Sequence, residues 1–248
     1  MNLDSTYSKL DTQHLLRLTE FGLKRLDWRD VETGAVTQEV VTHFLRLADA
    51  FWQHSGDPKQ PHAELTSGKC SDGFVDVLRL LRYSHVCMLF GRELVLQLRL
   101  AGGHRSIDWV IGSDHAGAAI SHSVAITLNA QHDFTEKAQA IEGSPLQFWR
   151  RFQIQPGETV LLCEEIITTA ATLQAVCSAV SRNNHRPVTF VPAVLTVVNR
   201  FGSALFEKTP IISLASYDLH TWEQKSCPLC AAGSERLRPK LNWLKLTQ

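Results

Sequence analysis

The run Val160-Leu-Leu-Cys-Glu-Glu-Ile-Ile-Thr-Thr-Ala-Ala-Thr172 concentrates residue types that can do chemistry in one short stretch. An apolar strand leads into two adjacent carboxylates, then into a turn of threonines and small residues, then into a helix. At the carboxyl end of a strand this layout makes a ligand crevice. Backbone N–H groups and hydroxyls at the helix start can hold a phosphate, helped by the positive end of the helix dipole. Glu164 and Glu165 can accept hydrogen bonds from sugar hydroxyls. One bend could therefore grip a ribose 5-phosphate at both ends. The plain alternative is a polar turn whose threonines only cap the helix. A second chemical signal is Cys227-Pro-Leu-Cys230. Zinc needs four ligands, and the only other candidates are His220 and the dispersed cysteines. A redox pair is the competing reading, without the context such a pair usually has.

The elements that must position these residues follow from periodicity. Residues 1–60 read as two helices, one capped by Asp11 or Thr12 with Leu15, Leu18, Leu23 and Leu26 along it. The other is capped by Thr37, runs through Val40, Val41, Phe44, Leu45, Ala48, Phe51 and Trp52, and is stopped by Gly56-Asp57-Pro58. From Ser84, a candidate cap, a helix runs to about Leu100 and ends at Gly102-Gly103. The strand Ile107 to Gly112, the helix Ala116 to Thr127, the strand Val160 to Cys163, the helix Thr169 to Ser181 and the strands Val188 to Val198 and Ile211 to Ala215 follow. Residues 130–150, with Gln131, His132, Asp133, Gly143, Ser144 and Pro145, are polar and irregular, which suits a mobile loop. Strand–helix alternation with near-continuous apolar strands predicts an α/β fold with a mostly parallel sheet.

Composition sets the outer limits. The chain has 248 residues with 25 Lys+Arg against 25 Asp+Glu, so it lacks the basic excess of a dedicated nucleic-acid binder. The first sixty residues hold seven basic and nine acidic side chains, which argues against a DNA-reading head. No apolar run approaches the roughly 18 residues a bilayer span requires. The first residues are polar and carry no signal-peptide pattern, so a cytoplasmic protein with no membrane partner is expected. Six cysteines in a chain this long suggest reduced thiols, not a disulfide framework.

The thirteen-residue run resembles the 5-phosphoribosyl 1-pyrophosphate (PRPP) motif of the type I phosphoribosyltransferases, with Ala170 and Ala171 where that family usually has glycine. Three further segments resemble orotate phosphoribosyltransferases. His62-Ala-Glu-Leu-Thr-Ser-Gly-Lys-Cys-Ser-Asp-Gly-Phe74 is similar to the family's opening motif, with Cys70 where His or Lys is common. Asp108-Trp-Val-Ile-Gly-Ser-Asp-His-Ala-Gly117 is similar to its pyrophosphate loop, altered at Asp114 and His115. Val197-Val-Asn-Arg200 is similar to the strand that sends an arginine to the pyrimidine, with Asn199 in place of Asp. Glu136-Lys137, Trp149-Arg150-Arg151-Phe152 and the Cys-Pro-x-Cys run resemble one subgroup of these enzymes. The resemblance covers residues 62 to 230 or so.

What it implies is specific. The fold would be a type I phosphoribosyltransferase-like sheet with a small hood, spanning 61–230. An N-terminal helical extension would occupy 1–60 and a basic tail 231–248, the tail packing across a homodimer. The reaction would join the ribose 5-phosphate of PRPP to a nucleobase, orotate first, with Mg²⁺ as cofactor and an oxocarbenium-like transition state. Alternatives are another nucleobase, or a PRPP-binding protein without turnover. Glu164 and Glu165 would hold the ribose hydroxyls, and Thr168, Thr169, Ala170, Ala171 and Thr172 the 5-phosphate. Ser113, Asp114 and His115 would face the pyrophosphate and Lys137 would supply charge to it, with Arg150 and Arg151 as weaker candidates. Arg200, Lys69 and Phe74 would receive the base, an arginine suiting an acidic one. Cys227 and Cys230 would be ligands if a structural Zn²⁺ is present.

Overall fold

The computed structural model of the protein describes residues 9–102, 106–137 and 147–247. The expected helix stop at Gly103 and the expected loop residues Gly143, Ser144 and Pro145 lie outside these.

The N-terminal segment forms three helices, not two. α1 (Thr12–Leu16) is capped by Asp11, whose carboxylate accepts from the His14 amide, and α2 (Glu20–Lys24) by Thr19, whose hydroxyl accepts from the Gly22 amide. The Thr19 cap starts a new helix where a single continuous one was expected. α3 (Gln38–Leu47) begins at the Thr37 cap as expected. It stops five residues before Trp52, because Asp49 takes a left-handed conformation, φ 54°. Phe51 and Trp52 then lie on strand β1 (Phe51–Gln53). Their apolar side chains serve a strand pair, not a helical stripe.

After β1 come three short strands, β2 (His62–Glu64), β3 (Cys70–Ser71) and β4 (Gly73–Val75), of which β4 pairs antiparallel with β1. Two helices follow, α4 (Val77–Leu81) and α5 (Ser84–Leu100). Ser84 is the first residue of α5 and not its cap; Tyr83 occupies the cap position without a side-chain bond.

The central sheet is built from β5 (Trp109–Gly112), β6 (Gln131–Phe134), β9 (Thr159–Ile167), β10 (Thr189–Asn199), β11 (Leu205–Phe206) and β12 (Thr209–Ser216), once the short pair β7 (Glu136–Lys137) and β8 (Gln147–Phe148) is set aside. The spatial order is β11-β12-β10-β9-β5-β6, parallel throughout except for the β11–β12 hairpin. Much of the segment expected as an irregular loop is thus strand: residues 131–134 edge the sheet, and 136–137 pair with 147–148. A parallel partner satisfies backbone groups that polarity alone suggested would face water.

Two apolar layers flank the sheet, and alternation along each strand sorts side chains between them. Val110, Leu161, Cys163, Leu195 and Val197 face α5, α6 (Ala116–Leu128) and the N-terminal helices in one continuous cluster. Trp109, Ile111, Val160, Leu162 and Val194 face the other side, against Leu173, Val176, Ala179 and Val180 of α7 (Ala171–Asn183). Burial on both faces explains the near-continuous apolar strands. Among the described residues no helix is long and apolar enough to cross a membrane.

The tail folds onto its own chain. Strand β13 (Thr221–Trp222) pairs with β3; α8 (Pro228–Ala231) follows; β14 (Arg236–Leu237) lies parallel to β2; and α9 (Trp243–Thr247) closes the segment. Together these make a four-stranded hood, β13-β3-β2-β14, over a small core of Trp52, Ala63, Leu237 and Leu246. The basic side chains expected to reach another subunit are engaged locally: Arg236 and Arg238 pair with Glu64, and Lys245 with Glu235.

α5 and α6 cross closely at Gly91, where an added Cβ would lie 2.8 Å from Ser123 carbonyl carbon and Cβ. Alanine normally favours a helix over glycine by roughly 0.5–1 kcal/mol. Here overpacking of about 1–3 kcal/mol should dominate. Gly91→Ala is expected to lower the melting temperature by several degrees, measured by thermal denaturation; a gain would contradict the tight crossing.

Candidate active site

Four strands of the parallel set deliver candidate residues to one edge. β5 ends at Gly112 and leads into Ser113, Asp114 and His115; β6 leads to Lys137; β9 leads to Thr168 through Thr172; β10 leads to Arg200. Crevices outside the carboxyl ends of strands are where α/β sheets bind ligands.

β9 is longer than expected and carries the acid pair inside it, not beyond it. Glu164 is buried, and its two oxygens accept from the Ser113 amide at 3.0 Å and the Ser113 hydroxyl at 2.7 Å. It therefore braces the loop after β5. Burial, and then the neighbouring Glu165 charge, push its carboxyl up to about 8. Glu165 is also raised by burial, with the Lys137 ammonium opposing and the Asp114 carboxylate adding to the shift. Its Oε2 is buried without a hydrogen-bond partner, so it is the acid left free to receive a ligand. Lys137 Nζ lies 3.4 Å from Asp114 Oδ1, and Asp114 Oδ2 lies 3.0 Å from His115 Nδ1. Ser113, Asp114, Lys137, Glu164 and Glu165 thus form one cluster.

Two glycines make that convergence sterically feasible. A Cβ at Gly112 would lie 2.7 Å from the carbonyl oxygens of Cys163 and Gly117. A Cβ at Gly117 would lie 2.5 Å from Ser113 Oγ and 3.0 Å from Glu164 Oε2. Sequence reasoning missed the part played by Gly117, because nothing local marks a glycine whose neighbour is fifty residues away.

Both α6 and α7 begin without a side-chain cap and without an acid in the first turn. The threonines do not cap α7, which removes the plain alternative for this turn. First-turn amides are left for an external acceptor, and the helix dipole favours an anion there. The residues at the two cap positions, His115 and Ala170, both have φ 58°. Such conformations cost a non-glycine residue about 1–3 kcal/mol and cluster at functional turns. The Ala170 methyl is buried, while Thr168 and Thr169 are exposed; with Glu164, Ala171 and Thr172 they line a cavity of about 20 Å³, room for one water-sized group.

The base-side residues separate. Arg200 is half-buried and its buried Nε has no hydrogen-bond partner; burial lowers its pKa while the Asp72 charge acts the other way. Its amide donates to Ile167 O at 2.7 Å, tying it to the end of β9. Asn199 braces the turn, accepting from the Phe201 amide and donating to Ser203 O. Lys69 and Phe74 are not gathered into this cluster. Lys69 forms an ion pair with Glu223 at 2.9 Å, and Phe74 packs edge-on against Trp243 in the hood. Asp72, between them in sequence, holds His220 through its carboxylate while its charge acts on Arg200, and it was overlooked. Arg151 pairs with Glu136, and Arg150 lies over the Phe148 ring.

No family model matches the chain. Curated relatives do. Orotate phosphoribosyltransferase of a Thermoanaerobacter species is 29% identical over 178 residues, 72% of this chain and 87% of its own length. Orotate phosphoribosyltransferase of a Nitratiruptor species is 28% identical over 200 residues, 77% of this chain and 96% of its own. Over about three quarters of its length the chain is similar in sequence to orotate phosphoribosyltransferases. Among solved structures, orotate phosphoribosyltransferase from Aeropyrum pernix is 21% identical and aligns over 69% of this chain and 90% of that chain, with a TM-score of 0.47.

The raised carboxyl of Glu164 gives the protein a pH signature. A folded-state pKa near 8 against an ordinary 4.5 means the folded state holds a proton that the unfolded state has lost. The associated stability is present below about pH 4.5 and is lost as pH rises through about 8. The stability difference between wild type and Glu164→Gln should therefore shift in favour of the variant over that interval, measured by denaturant melts at a series of pH values. At Ala170, left-handed strain of about 1–2 kcal/mol exceeds the roughly 0.4–1 kcal/mol of unfolded-chain entropy that glycine adds. Ala170→Gly is expected to raise stability by up to about 1 kcal/mol in the same melts.

Proposed function

We propose that the protein transfers the ribose 5-phosphate of PRPP to a pyrimidine base, with orotate as that base. The observation that carries this is Glu165: a half-buried carboxylate with one buried, unpartnered oxygen, held at the sheet edge where the uncapped starts of α6 and α7 also lie. A phosphorylated, diphosphorylated pentose answers both demands. The names of the curated relatives support the same substrates.

In this reading the base nitrogen, having lost its proton to solvent, attacks C1 of the ribose while the bond from C1 to pyrophosphate oxygen breaks, and pyrophosphate leaves with the electron pair. Glu165 accepts from the ribose hydroxyls and lies close to the cationic ring of the transition state. Glu164 acts mainly through Ser113, holding the loop that faces the pyrophosphate. Lys137 exchanges its Asp114 partner for the pyrophosphate, so Asp114 keeps the lysine in place before PRPP arrives. The amides of Ala170 through Thr172 receive the 5-phosphate. The half-buried guanidinium of Arg200 pairs with an acidic base, while the Asp72 charge acts on it. Glu165 and Asp114 are hard oxygen donors that fit Mg²⁺, since each keeps a buried oxygen free of hydrogen bonds. When bound, the ion would neutralise charge on the leaving pyrophosphate. Charge from Lys137 and exclusion of water would limit hydrolysis of the activated sugar.

A PRPP-binding protein without turnover is favoured by one observation, the Ala170 methyl buried in the phosphate turn. Incubation with PRPP, Mg²⁺ and a panel of bases separates the two. Pyrophosphate release that depends on orotate is the expected result; PRPP binding with no release for any base would establish the second. Glu165→Gln is expected to lower kcat by about 10²–10³-fold without lowering the melting temperature, because burial already disfavours its charge. Arg200→Ala should raise KM for orotate far more than for PRPP. Equal effects on both would remove Arg200 from the base site.

A further inference from the structure

The hood brings together four side chains that the sequence scatters. His62 on β2, Cys70 on β3, Cys227 before α8 and Cys230 within α8 place one ligand atom each within 4.8 Å of all the others. Three of the four residues are buried. The expected partner of the CxxC pair, His220, is elsewhere: its Nδ1 lies 3.0 Å from Asp72 Oδ2, and its ring stacks on Trp222.

The spacings match a tetrahedron around one ion. Bonds of about 2.3 Å to sulfur and about 2.0 Å to nitrogen give ligand–ligand edges of roughly 3.8 Å for S···S and roughly 3.5 Å for S···N. Cys70 Sγ lies 3.6 Å from Cys230 Sγ; His62 Nε2 lies 3.3 Å from Cys230 Sγ and 3.8 Å from Cys227 Sγ. A disulfide would need about 2.05 Å between two of the sulfurs and would leave the third sulfur and the imidazole unexplained.

The imidazole is also oriented for a metal. The Ser234 hydroxyl donates to Gln60 O, so its oxygen is free to accept from His62 Nδ1–H at 2.9 Å. That fixes the tautomer with the Nε2 lone pair aimed at the three sulfurs, the arrangement a histidine ligand requires. We propose that His62, Cys70, Cys227 and Cys230 form a Cys₃His structural zinc site, positioned by Ser234. All four ligands are protein atoms, the closed kind of site that stabilises and does not catalyse.

The site answers a need of the fold. Among the described residues the buried hood core is Trp52, Ala63, Leu237 and Leu246, with Phe74 and Trp243 packed against it, which is small for four short strands. One ion would join β2 and β3 to a segment more than 150 residues later. Binding by three thiols releases their protons, so uptake should acidify an unbuffered solution.

The test uses the full chain, purified reduced and without chelator. About one zinc per chain by elemental analysis is expected. Replacement by Co²⁺ should give the intense thiolate charge-transfer band and visible d–d bands of tetrahedral cobalt. Cys230→Ser and His62→Ala should each abolish stoichiometric zinc, and Ser234→Ala should weaken affinity by about 10–100-fold with the cobalt spectrum retained. Should those variants fold poorly, the cobalt spectrum of the unaltered protein still decides the matter. No stoichiometric uptake of Zn²⁺ or Co²⁺ by the reduced wild type, or a disulfide among Cys70, Cys227 and Cys230 after thiol blocking in the cell lysate, would overturn the proposal.

Discussion

A buried carboxylate, Glu164, beside a half-buried one, Glu165, on the same strand is the constraint around which the rest of the molecule is arranged. Taking a single ionised carboxylate out of water is costly unless it is paired and hydrogen-bonded. Glu164 is supplied with an amide and a hydroxyl, both from Ser113, and still titrates near 8. Glu165 keeps a buried oxygen unsatisfied. Lys137 and Asp114 stand beside it as a charge pair of opposite effect. Such a cluster is a poor device for stability. Its cost is offset when a ligand brings hydroxyl donors or cationic charge to the free oxygen.

The same edge of the sheet accumulates backbone strain and unsatisfied amides. His115 and Ala170 adopt left-handed conformations at the starts of α6 and α7, and neither helix is capped by a side chain. Glycine would relieve the strain at either position. With alanine at 170, the turn holds a positive-φ residue just before α7 with its methyl packed inward.

The hood works by a different balance. Its apolar core is slight, and His62, Cys70, Cys227 and Cys230 gather beside it from two distant stretches of chain. It also carries Asp72, whose carboxylate accepts from the His220 amide and whose charge acts on Arg200. The tail belongs to this unit: β14 extends the hood sheet, and Leu246 and Trp243 thicken its core.

Local signals settled a good deal. Continuous apolar runs at 109–112, 159–163 and 189–198 determined buried parallel strands, because a strand covered on both faces has no polar side to show. The order of acids, threonines and small residues from Glu164 to Thr172 marked a candidate place for an anion and a sugar, since that chemistry lies in consecutive residues. What depended on distant neighbours was not legible. Phe51 and Trp52 fit a helical period and became a strand once Asp49 turned the chain. Glu164 and Glu165 look equivalent side by side, and only Ser113, brought over by the adjacent strand, makes one a brace and leaves the other free. Lys69 and Phe74 share a motif with Asp72, yet strand pairing turned the first two to other partners. Cys227 and Cys230 announced a ligand pair by spacing alone, whereas His62 and Cys70 joined them only through the folding of β2 and β3. Spacing along a chain encodes chemistry within one element; which elements meet is decided by the packing of their apolar faces.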